Sequence, residues 1–141
     1  MSTAGVCLAL AALAAAPTHV PAFIATERFT LAWTHSIEKV RWEEDYAVVM
    51  TPEGRAALRA LAARVRGSAA GMEPAPDAVL KDGWYSYTPQ LPQPAGLRLS
   101  RSEFTADYEL CTGGQCRALS HWLKSDGGVT LLTACEAPAT R

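Results

Sequence analysis

Phe29-Thr30-Leu31-Ala32-Trp33-Thr34-His35-Ser36, followed after a short break by Arg41-Trp42-Glu43-Glu44-Asp45-Tyr46-Ala47-Val48-Val49-Met50, is the stretch that decides the fold. Side chains on a strand alternate between its two faces. In the first run the odd positions are Phe, Leu, Trp and His; in the second the even positions are Trp, Glu, Tyr, Val and Met. Each run therefore has one apolar row, and the residues between them, 37–40, suit a hairpin. Both rows carry a polar intruder. His35 continues the apolar row of the first strand, and Glu44 stands between Trp42 and Tyr46 in the second. A half-buried charge needs a partner, so the two would pair with each other or hold a third group.

Working outward, turn residues punctuate the rest of the chain. Thr51-Pro52-Glu53-Gly54, Lys81-Asp82-Gly83 and Asp126-Gly127-Gly128 read as turns. Strand-like runs lie at 84–87, 97–100, 104–110, 115–119 and 129–134. In the 104–110 run Phe104, Ala106, Tyr108 and Leu110 share a face. Residues 55–66 are ambiguous: their Ala, Leu and Arg content favours helix, but their length and the Gly67-Ser68 stop also suit a strand. The pattern predicts an all-β antiparallel sandwich or barrel of seven to eight short strands, one domain over 27–135 with a tail at 136–141.

Residues 1–22 read as a signal peptide or N-terminal anchor helix. The run Ala4-Gly5-Val6-Cys7-Leu8-Ala9-Leu10-Ala11-Ala12-Leu13-Ala14-Ala15-Ala16 is apolar but shorter than the roughly 20 residues that span a bilayer. Small residues at cleavage spacing follow, although Met1-Ser2-Thr3 carries no positive charge. The expectation is a periplasmic or exported protein, tethered to the inner membrane if the segment is uncleaved, with membrane contact only through that segment. Cys7 would then leave with it. Cys111 and Cys116 flank a Gly-rich turn and are placed for a cross-strand disulfide, with Cys135 left free or competing for either partner. A net charge of -1 and scattered Lys and Arg exclude a nucleic-acid-binding role.

The candidate ligand-binding residues are His35, Ser36, Glu38, Glu44, Gly71 and Met72. His35 and Glu44 form the sharpest constellation and offer a weak metal site; the commoner reading of such a pair is structural, fixing strand register. A Ser36–His35 dyad fails, because adjacent strand residues point to opposite faces. The small-residue loop at 67–73 offers backbone N–H groups to an anion but lacks the phosphate-loop Lys and spacing. No catalytic residue and no cofactor are assigned.

These residues also carry a family resemblance. Thr34-His35-Ser36-Ile37-Glu38-Lys39, Trp42-Glu43-Glu44, Gly67-Ser68-Ala69-Ala70-Gly71-Met72-Glu73, Asp77-Ala78-Val79-Leu80-Lys81-Asp82-Gly83-Trp84, Phe104-Thr105-Ala106-Asp107-Tyr108 and the Cys111 to Cys116 turn resemble the family called DUF1850. Its members are small exported bacterial proteins with no assigned activity, often found beside TRAP transporters of the TAXI type, which import small organic anions. The resemblance implies a strand at 55–66, against composition. It also implies an accessory or ligand-binding module partnered by TRAP membrane or solute-binding subunits. The alternative is a small metal- or anion-binding protein, or a hydrolase, built on His35 and Glu44.

Overall fold

The computed structural model describes residues 4–34, 40–66, 79–89 and 96–137. They hold β1 (Ala4–Leu10), β2 (Ala22–Ala25), β3 (Arg28–Thr34), β4 (Arg41–Met50), β5 (Ala56–Arg66), β6 (Val79–Lys81), β7 (Trp84–Tyr87), β8 (Gly96–Ser100), β9 (Glu109–Thr112), β10 (Gln115–Ala118) and β11 (Val129–Glu136). A seven-stranded sheet runs β10-β9-β3-β4-β5-β7-β6, and a four-stranded sheet runs β2-β1-β11-β8. Every pairing is antiparallel. The sheets stack as a sandwich and do not close into a barrel. Strands β1, β2 and β6 are what takes the number past the seven or eight expected.

The alternation read from the sequence holds across the large sheet. Phe29 pairs with Tyr46, Leu31 with Glu44 and Trp33 with Trp42. Phe29, Leu31 and Tyr46 are buried with Leu58, Leu99, Leu110 and Leu132 in the core between the sheets. The β3–β4 ladder runs to Thr34–Arg41 among the described residues, and the rest of the expected strand, His35 and Ser36, lies outside them.

The N-terminal run corrects the expectation most sharply. It is a strand and not a helix, and β1 is an inner strand with β2 on one side and β11 on the other. Val6 and Leu8 are fully buried on one face. A side chain at Gly5 would collide with the carbonyl of Ile24, so the small residues of this run permit close strand approach. Two neighbouring ladders override the helix propensity of an Ala-rich segment. The strand ends where the Leu10 amide donates to Nε2 of His19, 3.1 Å away.

Cys7 is bonded to Cys135, which is therefore not free. Cys111 and Cys116 are directly opposed and bonded, as the hairpin reading predicts. Gly113 and Gly114, with φ of 62° and 80°, make the two-residue turn between them, the conformation a tight hairpin demands. Two disulfides fit an oxidising compartment. Among the described residues no helix is long and apolar enough to cross a membrane.

Residues 55–66 settle as the family resemblance implies, with β5 a strand. Its ladder with β4 carries a bulge: Tyr46 faces Ala60 and Asp45 faces Ala62, leaving Leu61 extra. The 104–110 run is mostly loop instead of strand. Only Glu109 onward pairs, and Phe104 is 88% exposed.

Candidate functional site

Glu44 sits where the alternation puts it, on the inward row of β4, opposite Leu31 of β3 and Ala63 of β5. Its neighbours across the ladders are apolar, so this carboxylate has to be satisfied. The Tyr46 hydroxyl, two residues on and on the same face, donates to Glu44 Oε1 at 2.7 Å. Burial, followed by that hydrogen bond and the Glu44 charge, pushes the Tyr46 phenol well above its usual range. Burial and then the Glu44 charge push Tyr108 up as well. Both phenols are thus held as neutral donors.

The Glu44 carboxylate lines a cavity of about 300 Å³ between the sheets, with Leu31 and Trp33 of β3, Leu97, Arg98 and Leu99 of β8, and Tyr108. Trp33 stacks on Trp42 with centroids 6.1 Å apart, and Tyr108 tilts against the other side at 6.0 Å. A second recess of about 320 Å³ shares Trp33 and Tyr108 and continues past Ser100, Ser102 and Thr105. The Trp42 indole N–H is buried with no acceptor among the described residues, where an interior donor usually has a partner. An aromatic wall and one carboxylate around a cavity of this size have the make-up of a small-molecule site, while Arg98, exposed between Leu97 and Leu99, borders it from the outer face of β8.

The opposite face of the same sheet carries ion pairs. Arg41 donates to Glu43 at 2.7 Å and to Glu109 at 2.6 Å; Arg64 donates to Glu43 at 2.7 Å and to Asp45 at 2.9 Å. The Leu61 bulge makes this possible. Strict alternation from Leu58 would turn Arg64 inward, and the extra residue returns it to the outer face opposite Glu43. Burial alone would raise the Asp45 carboxyl, but hydrogen bonds from Arg64 and Thr30, with the Arg64 charge, outweigh it and hold the group below its ordinary value. These charges satisfy one another, so the network reads as sheet architecture.

A larger recess, about 470 Å³, lies beside Arg101 and Asp107. Arg101 is buried, and its guanidinium donates to both Asp107 oxygens, to Thr130 Oγ1 and to the Leu123 carbonyl. Asp107 in turn accepts from the amides of Tyr108 and Ser120. These bonds tie the 101–108 loop to β11 and to the 3-10 turn at Leu119–His121, and so hold Tyr108 beside Trp33. The hub is a positioning device with its charges already committed.

Of the sequence-predicted residues, Glu44 lines the cavity. His35, Ser36, Glu38, Gly71 and Met72 lie outside the described residues, so their relation to Glu44 is not part of this geometry. Among the described residues no group of three or more His, Cys, Asp or Glu is arranged to hold a metal. The sequence reading missed Arg98, Trp33 and Tyr108 as lining residues. Trp33 and Tyr108 were legible only as aromatics of the core, and Arg98 only as the exposed position between Leu97 and Leu99.

No protein of curated function and no solved structure is significantly similar to the chain. The family model described as domain of unknown function DUF1850 matches residues 29–119, which hold the seven-stranded sheet from the second residue of β3 onward, and β8, but not β1, β2 or β11. All the residues lining the 300 Å³ cavity fall inside that match, and the chain belongs to the DUF1850 family.

Proposed function

We propose that this protein is a non-enzymatic ligand-binding module of the bacterial envelope, working as an accessory to TAXI-type TRAP transport beside the permease or solute-binding subunits. The observation that supports it is the inter-sheet cavity around Glu44. It is large enough for a small metabolite, it is walled by Trp33 and Tyr108, and among the described residues its Glu44 carboxylate accepts one bond, from Tyr46. Two disulfides favour an exported setting. The transporter association rests on the family resemblance alone.

The test is calorimetric titration of the purified protein against a library of small organic acids, amines and amino acids, read together with tryptophan fluorescence. Binding that changes the emission and disappears in Trp33→Ala supports the reading. A protein that binds nothing, or binds unchanged after Trp33→Ala, overturns it. Affinity purification from the native membrane tests the accessory role, which falls if no transporter subunit is retained.

A further inference from the structure

We infer that the Cys111–Cys116 disulfide is a redox-active site, at which a dithiol donor attacks Cys116 and delivers two electrons while the fold stays intact. The inference is independent of the ligand-binding reading above. The two disulfides stand in different settings. Cys7–Cys135 joins β1 to β11, inner strands of the smaller sheet, and both of its cysteines are half-buried. Cys111–Cys116 joins β9 to β10, and β10 is the end strand of the larger sheet among the described residues. Cys116 is exposed there, and Cys111 is half-buried.

This placement fixes the direction of attack. A thiolate approaches one sulfur in line with the bond that breaks, and the other sulfur leaves. Cys111 is opposite Thr30 of β3, and Thr30 is opposite Asp45 of β4, so Cys116, Cys111, Thr30 and Asp45 form one row across the sheet. Thr30 Oγ1 donates to Asp45 Oδ1 at 2.6 Å, and Arg64 holds the same carboxylate. Approach to Cys111 would pass over this occupied row, whereas approach to Cys116 comes from the sheet edge. The donor thiolate bonds to Cys116 Sγ, the disulfide breaks, and its electron pair leaves on Cys111 Sγ, which takes a proton from water. The donor's second thiol, losing its proton to water, attacks the donor sulfur of the mixed disulfide. Cys116 Sγ then leaves and is protonated. The products are one donor disulfide and two cysteine thiols, with two electrons moved and the protons in balance.

The hairpin is built to survive the opening. The bond spans a separation of 5 residues against 128 for Cys7–Cys135, so its closure restrains the unfolded chain little and its loss costs the fold correspondingly little. The β9–β10 ladder keeps its four paired positions, with Gly113 and Gly114 in the left-handed turn. At the base of the hairpin the Leu119 amide donates to the Tyr108 carbonyl at 2.9 Å, and near its tip Thr112 Oγ1 lies 2.8 Å from Thr26 Oγ1. Held this way, the two thiols stay opposed and the bond re-forms on oxidation.

The experiment exposes the full, folded chain to limiting dithiothreitol, blocks free thiols with iodoacetamide at successive times, and maps the modified cysteines by mass. Cys111 and Cys116 should be modified at least about tenfold faster than Cys7 and Cys135. Protein opened at that bond alone should still melt cooperatively, and oxidised glutathione should restore the link. Equal rates for the two pairs, a melt that loses cooperativity once this bond is open, or opening only under conditions that unfold the chain would overturn the inference and make the bond purely structural. The direction of attack is read from single variants reacted with a small aromatic disulfide. Cys116 in Cys111→Ser should react at least about fivefold faster than Cys111 in Cys116→Ser. Equal rates, or a faster Cys111, would overturn Cys116 as the sulfur attacked.

Discussion

Glu44 shows how one residue can sit against its row and still be accommodated. Its neighbours on the inward face are Trp42, Tyr46, Leu31 and Ala63, and its hydrogen bond among the described residues comes from Tyr46. Removing that hydroxyl with Tyr46→Phe keeps the ring that stacks on Phe29 at 5.4 Å and deletes only the donor. The expected loss is about 1.5–3 kcal/mol, the range for hydrogen bonds to charged groups, read from urea unfolding. A loss below about 0.5 kcal/mol would show that another donor serves the carboxylate as well. Asp45, next along the strand but on the outer face, provides a pH signature. Its carboxyl is held below the ordinary value of 3.8, so its contribution to stability is fully present above that pH and is lost as pH falls through the folded value. Unfolding midpoints measured from neutral pH downward should drop below about pH 3.8, and Asp45→Asn should remove part of that drop.

At the scale of elements, β5 decides the outer face. Its composition argues for helix, its environment makes it a strand, and its bulge sets which residues look outward. Because Leu61 is the extra residue, deleting it alone should straighten the strand and keep Arg64 opposite Glu43 and Val65 opposite Trp42. Cooperative thermal unfolding should survive. Deleting Leu61 together with Ala62 should reverse the phase, send Arg64 into the core and abolish the cooperative transition. Equal behaviour of the two deletions in a melt would show that β5 pairs in another register.

At the scale of the molecule, the smaller sheet closes the fold from both ends of the chain. Strands β1 and β11 pair along their lengths, and the Cys7–Cys135 bond links residues 128 positions apart. Cys111–Cys116 spans a separation of 5. Loop-closure entropy then ranks the two: about 5 kcal/mol for the long link and about 2 kcal/mol for the short one. Paired Cys→Ser variants compared by denaturant unfolding should keep that order, and mass mapping of the unreduced protein should find these two links. A larger loss from the Cys111–Cys116 pair would show that Cys7–Cys135 does not lock the ends of the chain. Shortening the protein by the 14–22 residues of a cleaved leader would delete β1, leaving Cys135 without its partner and uncovering β2 and β11 along one edge each. A native preparation that retains Cys7 is therefore expected.

The sequence by itself determined the all-β class, the inward row from Phe29 to Val48 with Glu44 in it, and the Asp82-Gly83 and Gly113-Gly114 hairpins with the disulfide across the second. Each of these is local. Side-chain alternation and the left-handed backbone of a tight turn are set by residues a few positions apart. The tertiary structure alone decided that the N-terminal run is a strand, because an Ala-rich segment has no strong preference of its own and takes its conformation from the ladders on either side. It alone decided the Cys7–Cys135 pairing, the Arg101–Asp107 hub and the phase change at Leu61. The cavity belongs to the same class. Its walls come from β3, β4, β8 and the loop before β9, and Glu44 and Leu99 share it only because the two sheets stack, a relation between distant residues that no local pattern encodes.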